Sequence, residues 1–315
     1  MDALQQIRKP IEAELDQYKK VFDSYLVHSN PILNKVLNGI SQRRGKMMRP
    51  MLTILAAKLL KKEITESTLY TAATFEYFHT ASLVHDDVVD ESEERRGQQS
   101  VNRAFGNQIA VLSGDFILAN ALLCASKTHS THLIEILSIA AQNLANGELL
   151  QLNNVDNLSI DESVYFDIIR NKTAALFSAC AEAGAQRMRD LGEYIGICFQ
   201  IRDDIFDYQQ GAEIGKPTGN DIKEGKLTLP LIHALLSTND EQMMTLAHKV
   251  KQHTVSQDEI ALLVQFTKEN GGIDYAEDVM NQYAQKAREI LHIYPDSPVK
   301  QALFQYVDYV IARTF

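Results

Sequence analysis

The chain is short of several things, and each shortage narrows what it can be. Only 3 cysteines occur among 315 residues, Cys124, Cys180 and Cys198, an odd number without metal-type spacing, each in apolar helical surroundings. That excludes a disulfide framework and a cysteine-held zinc site, and buried free thiols in a reducing compartment are expected. There is no proline between Pro50 and Pro217. Across that region apolar residues recur three and four apart and strand-type alternation is missing, so long buried helices are the economical reading. Basic charge is in deficit, with 31 Lys and Arg against 41 Asp and Glu and a net charge of −10. No basic stripe can follow a phosphate backbone, which argues against nucleic acid as a partner. The longest apolar region, Ile109 to Ala125, is broken by Gly114, Asp115 and Asn120. It reads as a core helix, so no transmembrane segment is expected. Residues 1–20 are acidic, basic and amphipathic and lack a signal-peptide pattern, which points to the cytoplasm. Low-complexity linkers and repeats are missing as well, and 45% hydrophobic residues supply an ample core. We expect an all-α chain, one large helical bundle over residues 1–315 around a central cavity.

What is present is acid where a core helix should be greasy. The stretch from Glu76 to Gly97 contains Asp86, Asp87 and Asp90, and Gln200 to Tyr208 repeats the pattern at Asp203, Asp204 and Asp207. On a helix the first and last aspartates of each Asp-Asp-x-x-Asp share a face while the middle one points elsewhere. If the two helices face each other, each like-charge pair about 6 Å apart costs roughly 3 kcal/mol at an effective dielectric near 20. A cation must offset that, and a donor set of hard oxygens favours Mg²⁺. Asp86, Asp90, Asp203 and Asp207 are the expected ligands, with Asp87 and Asp204 supporting them from one shell further out. Such an ion takes phosphate oxygens as its remaining ligands, so a phosphate ester or diphosphate is the natural guest. Basic residues gather beside the first motif, at Arg43, Arg44, Lys46, Arg49, Arg95 and Arg96. Their grouping suggests a small anionic ligand.

The periodicity predicts helices at 2–27, 31–40, 46–61, 65–91, 101–127, 130–152, 160–170, 173–210, 227–237, 240–252, 256–269, 272–292 and 296–313. The polar, glycine-bearing segments 91–100 and 209–225 each follow an acid motif and read as candidate lids.

With two such motifs, Arg95-Arg96-Gly97 after the first, Gln200 before the second and Gly215-Lys216 and Lys226 after it, the chain resembles the trans-isoprenyl diphosphate synthases, the polyprenyl synthetase family. The likeness runs from about Arg44 to about Leu235 and weakly to the end. It implies an isoprenoid-synthase helical fold and a transferase that joins isopentenyl diphosphate to an allylic prenyl diphosphate. By resemblance the allylic diphosphate is clamped through Mg²⁺, three ions with the diphosphate bound, while Arg95, Lys172, Lys216 and Lys226 complete the charge balance. Lys172, Thr173 and Gln200 would lie beside the carbocation. Isopentenyl diphosphate would be held by the basic loop Arg44 to Pro50 through Lys46 and Arg49, together with His79 and Arg96. Arg44 and Met47 depart from the family pattern at positions where Gly and a basic residue are common. A homodimer is implied, as is transient membrane contact for product release; 101–127, rich in Ala, Leu and Ile, is the candidate interface, with simple core as the reading that stays open beside it.

Chain length is read from the helix below Asp86. Ser82 and Ala81 lie about 6 and 7.5 Å further down it, and both are small. Relatives that stop at fifteen or twenty carbons commonly place an aromatic there. The chain therefore resembles the long-chain heptaprenyl and octaprenyl members, which make about C30–C50 products for quinone side chains. Three alternatives stay open: a short-chain farnesyl or geranylgeranyl synthase, a class I terpene cyclase, and a non-catalytic subunit of a heteromeric synthase.

Overall fold

Helix starts in this chain are written by capping residues. Ser100, Asp161, Asp240 and Ser256 each accept a backbone N–H of the first turn that would otherwise lack a partner, and Ser256 with Glu259 forms a reciprocal capping box. The computed structural model describes residues 3–42, 45–60, 63–95, 97–156, 160–209 and 218–313. In order the helices are α1 (Ala3–Arg8), α2 (Glu12–Ser24), α3 (Pro31–Gln42), α4 (Met48–Leu59), α5 (Glu66–Val89), α6 (Val101–Phe105), α7 (Asn107–Lys127), α8 (Thr131–Asp156) and α9 (Glu162–Ile169). They continue as α10 (Ala175–Gly184), α11 (Arg189–Phe206), α12 (Asn220–Lys223), α13 (Leu229–Thr238), α14 (Glu241–Lys251), α15 (Gln257–Glu269), α16 (Gly272–His292) and α17 (Pro298–Ala312). The strands described are a two-residue pair, β1 (Glu94–Arg95) and β2 (Gln98–Gln99), antiparallel within the segment expected to be a lid. The fold is all-α.

The chain divides into two units, each discontinuous in sequence. The first comprises Met1–Ile139, Ala179–Arg189 and Tyr294–Leu303. At its centre α5 packs on α7, α4 and α2. Phe75 and Tyr77 are fully buried, each contributing roughly 1.5–3 kcal/mol or more. Tyr77 stacks on Phe22 with centroids 4.3 Å apart and donates its hydroxyl to the Phe22 carbonyl. Asn120 of α7 donates to the Tyr25 carbonyl at 3.0 Å. The second unit comprises Ala140–Ser178, Asp190–Ile293 and Phe304–Phe315. Here α13 packs on α16, α15 and α9.

Three expectations need correction. The helix predicted over 173–210 is interrupted: it breaks at Ala185, whose φ of −157° is extended, and resumes through a 3-10 turn at Gln186–Met188. The predicted helix 101–127 is split at Gly106, where φ is 87°. Within it, α7 is not simply a core helix. It is the one helix, among the described residues, long and apolar enough to cross a membrane, yet its most apolar window is only 44% buried. Leu112, Leu122 and Leu123 are at least half exposed. A helix apolar all round has no polar face to mark which side meets solvent.

Candidate active site

The second acid motif closes α11, with Asp203 and Asp204 in its last turn and Asp207 just after it, and each aspartate is held differently. Arg313 donates to Asp203 Oδ1 at 2.7 Å and to the Phe199 carbonyl at 2.8 Å, with its guanidinium carbon 3.8 Å from the Phe199 ring centre. Asp204 is buried, accepting from Tyr165 Oη at 2.6 Å and from Gln200 Nε2 at 2.8 Å. Asp207 accepts the backbone amides of Asn220 and Asp221 at 2.8 and 3.1 Å. Burial pushes the Asp204 carboxyl well above the usual carboxylate range and the charge of Asp221 adds to this, while its hydrogen bonds from Tyr165 and Gln200 pull the other way.

Lys172 and Thr173 sit on a π-helical turn, Arg170–Ala174, between α9 and α10. Such wide turns are uncommon and frequent at functional sites. Two glycines let neighbouring helices press on it. A Cβ on Gly147 of α8 would lie 2.5 Å from the Lys172 backbone nitrogen, and one on Gly196 of α11 would lie 2.5 Å from the Ala174 Cα. The Lys172 ammonium is 2.6 Å from Glu148 Oε2 and 3.2 Å from Gln151 Oε1. Thr173 Oγ1 donates to Gln200 Oε1 at 2.8 Å. Lys172, Thr173, Gln200, Asp204, Asp221 and Lys226 all line one cavity of about 170 Å³. Lys226 also pairs with Glu224 at 2.6 Å. Lys251, buried on the same wall, donates to the Asn154 carbonyl at 3.0 Å, and burial lowers its pKa.

In the first unit Asp86 and Asp87 lie in the last turn of α5, and Asp90 is its C-cap. Asp87 is buried and Arg95 holds it, through Nε at 2.8 Å and Nη2 at 2.5 Å to Oδ1. Burial raises the Asp87 pKa and Arg95 opposes the rise. Thus Arg95, expected on a diphosphate, anchors the middle aspartate. Asp87 and Arg95 line a pocket of about 80 Å³ with Gly45, Met47, Glu76 and Thr80. Lys46 and Arg49 flank the start of α4, which packs on the α5 that carries His79. Ala81 and Ser82 are buried one turn and more below Asp86, and Ser82 Oγ donates to the His79 carbonyl at 2.9 Å. Arg96 and Lys216 lie outside the described residues.

Among the described residues no three His, Cys, Asp or Glu side chains are grouped to hold an ion by themselves. The donor chemistry fits Mg²⁺ nonetheless, because that ion takes one or two carboxylates and fills its octahedron with water and phosphate oxygens. Tyr165, Asp221, Glu148, Lys251 and Arg313 were not singled out from sequence. Asp221 alone carried a signal, as an acid in the Gly-Asn-Asp segment after the second motif. The others come from far along the chain.

A family model described as polyprenyl synthetase matches residues 30–266. An octaprenyl diphosphate synthase of Haemophilus influenzae is 34% identical, covering 99% of this chain and 98% of the relative. A geranylgeranyl pyrophosphate synthase structure from Bacteroides thetaiotaomicron is 48% identical with a TM-score of 0.87, covering 99% and 100%. A polyprenyl synthase structure from Caulobacter crescentus, complexed with calcium and isoprenyl diphosphate, is 30% identical with a TM-score of 0.91, covering 99% and 98%. With its two acid motifs, its Lys172-Thr173 turn and its helical fold, the chain belongs to the polyprenyl synthetase family of prenyl-transferring enzymes.

Proposed function

We propose that this chain joins isopentenyl diphosphate to an allylic prenyl diphosphate, with Mg²⁺, to build an all-trans polyprenyl diphosphate of about C30–C50, heptaprenyl or octaprenyl first. The observation that carries the reading is the cavity beside the second acid motif, where Lys172, Lys226, Thr173 and Gln200 converge. Asp86, Asp90, Asp203 and Asp207 would hold the metal, three ions with the diphosphate bound. Magnesium there would supply positive charge that neutralises the departing diphosphate. Lys172 and Lys226, with Lys216, add fixed positive charge that stabilises the transition state more than the ground state, because the leaving group gains charge as the carbon–oxygen bond breaks. The oxygens of Thr173 and Gln200 face the electron-poor carbon. Ile168, Ile169 and Leu227 on the cavity wall keep water from it. Lys46, Arg49, His79 and Arg96 bind isopentenyl diphosphate without ionising it. Its double bond attacks the allylic carbon, and the proton then lost goes to the departing diphosphate.

The buried, small Ala81 and Ser82 leave room for a long product below Asp86. A C20 product is the second reading, favoured by the 48% identity to a geranylgeranyl pyrophosphate synthase structure. Chromatography of the dephosphorylated product from farnesyl and labelled isopentenyl diphosphates decides between them, C35 or C40 supporting the first and a stop at C20 the second. The chain works in the cytoplasm as a homodimer, with transient membrane contact to release an apolar product. The stripe Val111, Leu112, Leu122 and Leu123 on α7 is the proposed interface. Leu112→Glu with Leu123→Glu should sediment as a monomer, and a dimer in that variant would refute the interface.

A further inference from the structure

We infer that Tyr165 is a positioning residue for the proposed prenyl transfer: through Asp204 it sets which way the Gln200 amide and the Thr173 hydroxyl point. The inference rests on the proposed reading of this cavity and adds a residue from α9, outside either acid motif. Four groups form one hydrogen-bonded chain. Tyr165 Oη donates to Asp204 Oδ2 at 2.6 Å, Gln200 Nε2 donates to Oδ1 at 2.8 Å, and Thr173 Oγ1 donates to Gln200 Oε1 at 2.8 Å. Gln200 turns its NH₂ toward Asp204 Oδ1 and its carbonyl toward Thr173. That carbonyl then takes the single hydroxyl proton of Thr173. The lone pairs of Thr173 Oγ1 are left for the cavity, where an electron-poor carbon is stabilised by oxygen and repelled by a hydroxyl proton.

Tyr165 matters because Asp204 is buried and each of its carboxyl oxygens takes a donor from a different element, Tyr165 of α9 on Oδ2 and Gln200 of α11 on Oδ1. The phenol is itself buried, and burial together with Asp204 pushes its pKa well above the usual value, so it stays a protonated donor. Without it Oδ2 loses the Tyr165 hydroxyl, the carboxyl can turn, and the amide of Gln200 is no longer bound to one orientation.

The test is a double-mutant cycle on the full-length enzyme with allylic and isopentenyl diphosphates. Tyr165→Phe keeps the ring and removes the donor. Taking the donor from a buried acceptor corresponds to about tenfold to a hundredfold in kcat. KM for both diphosphates should stay within about twofold. In a Thr173→Val background the same change should cost less than about threefold, because the group it orients is gone. Equal losses in both backgrounds, the signature of a merely structural role, would overturn the inference, as would an unchanged kcat. Melting temperatures are taken alongside, and if Tyr165→Phe does not fold, Asp204→Asn is carried through the same cycle with the same expectations. A second arm needs no turnover. The side-chain NH₂ of Gln200, followed by NMR, should exchange at least about tenfold faster in Tyr165→Phe than in the parent, and equal exchange would refute the chain. If the parent enzyme fails to elongate, the proposed reaction falls while this arm still decides the role of Tyr165.

Discussion

Gly147→Ala adds one methyl group at the place where α8 meets the turn carrying Lys172. Built on the backbone, its Cβ would lie 2.5 Å from the Lys172 nitrogen and 2.9 Å from its Cα, where ordinary contact begins at 3.4 Å. The obstacle is main chain, which cannot rotate away as a flexible side chain could. The two backbones must therefore part by about 0.9 Å, and the π-turn is the softer of the two because it is not a regular helix. Overpacking of this kind costs roughly 1–3 kcal/mol. A displacement near 1 Å of a positioned cation can cost as much as about a hundredfold in rate. We expect Gly147→Ala to remain folded with a lowered melting temperature and to lose between about tenfold and a hundredfold in kcat. The assay is steady-state incorporation of labelled isopentenyl diphosphate, with calorimetric melting in parallel. A variant that melts lower yet keeps kcat within twofold would show that the helix contact does not place Lys172.

Other consequences follow from single contacts. Ala81→Phe should shorten the product while preserving turnover, and an unchanged product distribution would remove Ala81 from the control of length. Glu259 is drawn down to about 2, first by the hydrogen bond from Lys249 and then by the backbone of Ser256. Its folded pKa lies below its unfolded one, so its stabilisation is present above about pH 4.5 and is lost as pH falls toward 2. Glu259→Gln should therefore melt below the parent at pH 7, with the gap closing on acidification, and a constant gap would contradict the pairing. The thiols of Cys124, Cys180 and Cys198 are buried and pushed up to about 12. Native protein should resist iodoacetamide at neutral pH and react at all three sites once unfolded, as mass spectrometry would show.

Much of the architecture could be read from local rules. Helices α15 and α16 fall within one residue of their predicted limits because Ser256 caps one and Gly271, at φ 70°, introduces the other. The acid motifs were legible because aspartates in apolar, helix-period sequence have no other economical explanation. The break at Ala185 was not legible, since no proline marks it and the surrounding residues keep helical spacing. Nor was the π-turn, whose extra residue per turn changes no pattern of residue type. Partners were the least accessible. Tyr165 meets Asp204 across 39 positions and Arg313 meets Asp203 across 110, distances over which spacing says nothing. Arg95 illustrates the same limit: its charge was evident, but its engagement with Asp87, eight positions back, was not.

The most direct test mixes the purified chain alone with farnesyl diphosphate and labelled isopentenyl diphosphate, with Mg²⁺ in one reaction and a chelator in another. Label should enter an elongated all-trans prenyl diphosphate only where the metal is present. No incorporation with Mg²⁺, or release of a cyclised hydrocarbon when isopentenyl diphosphate is left out, would contradict the proposal that these acid motifs serve chain elongation.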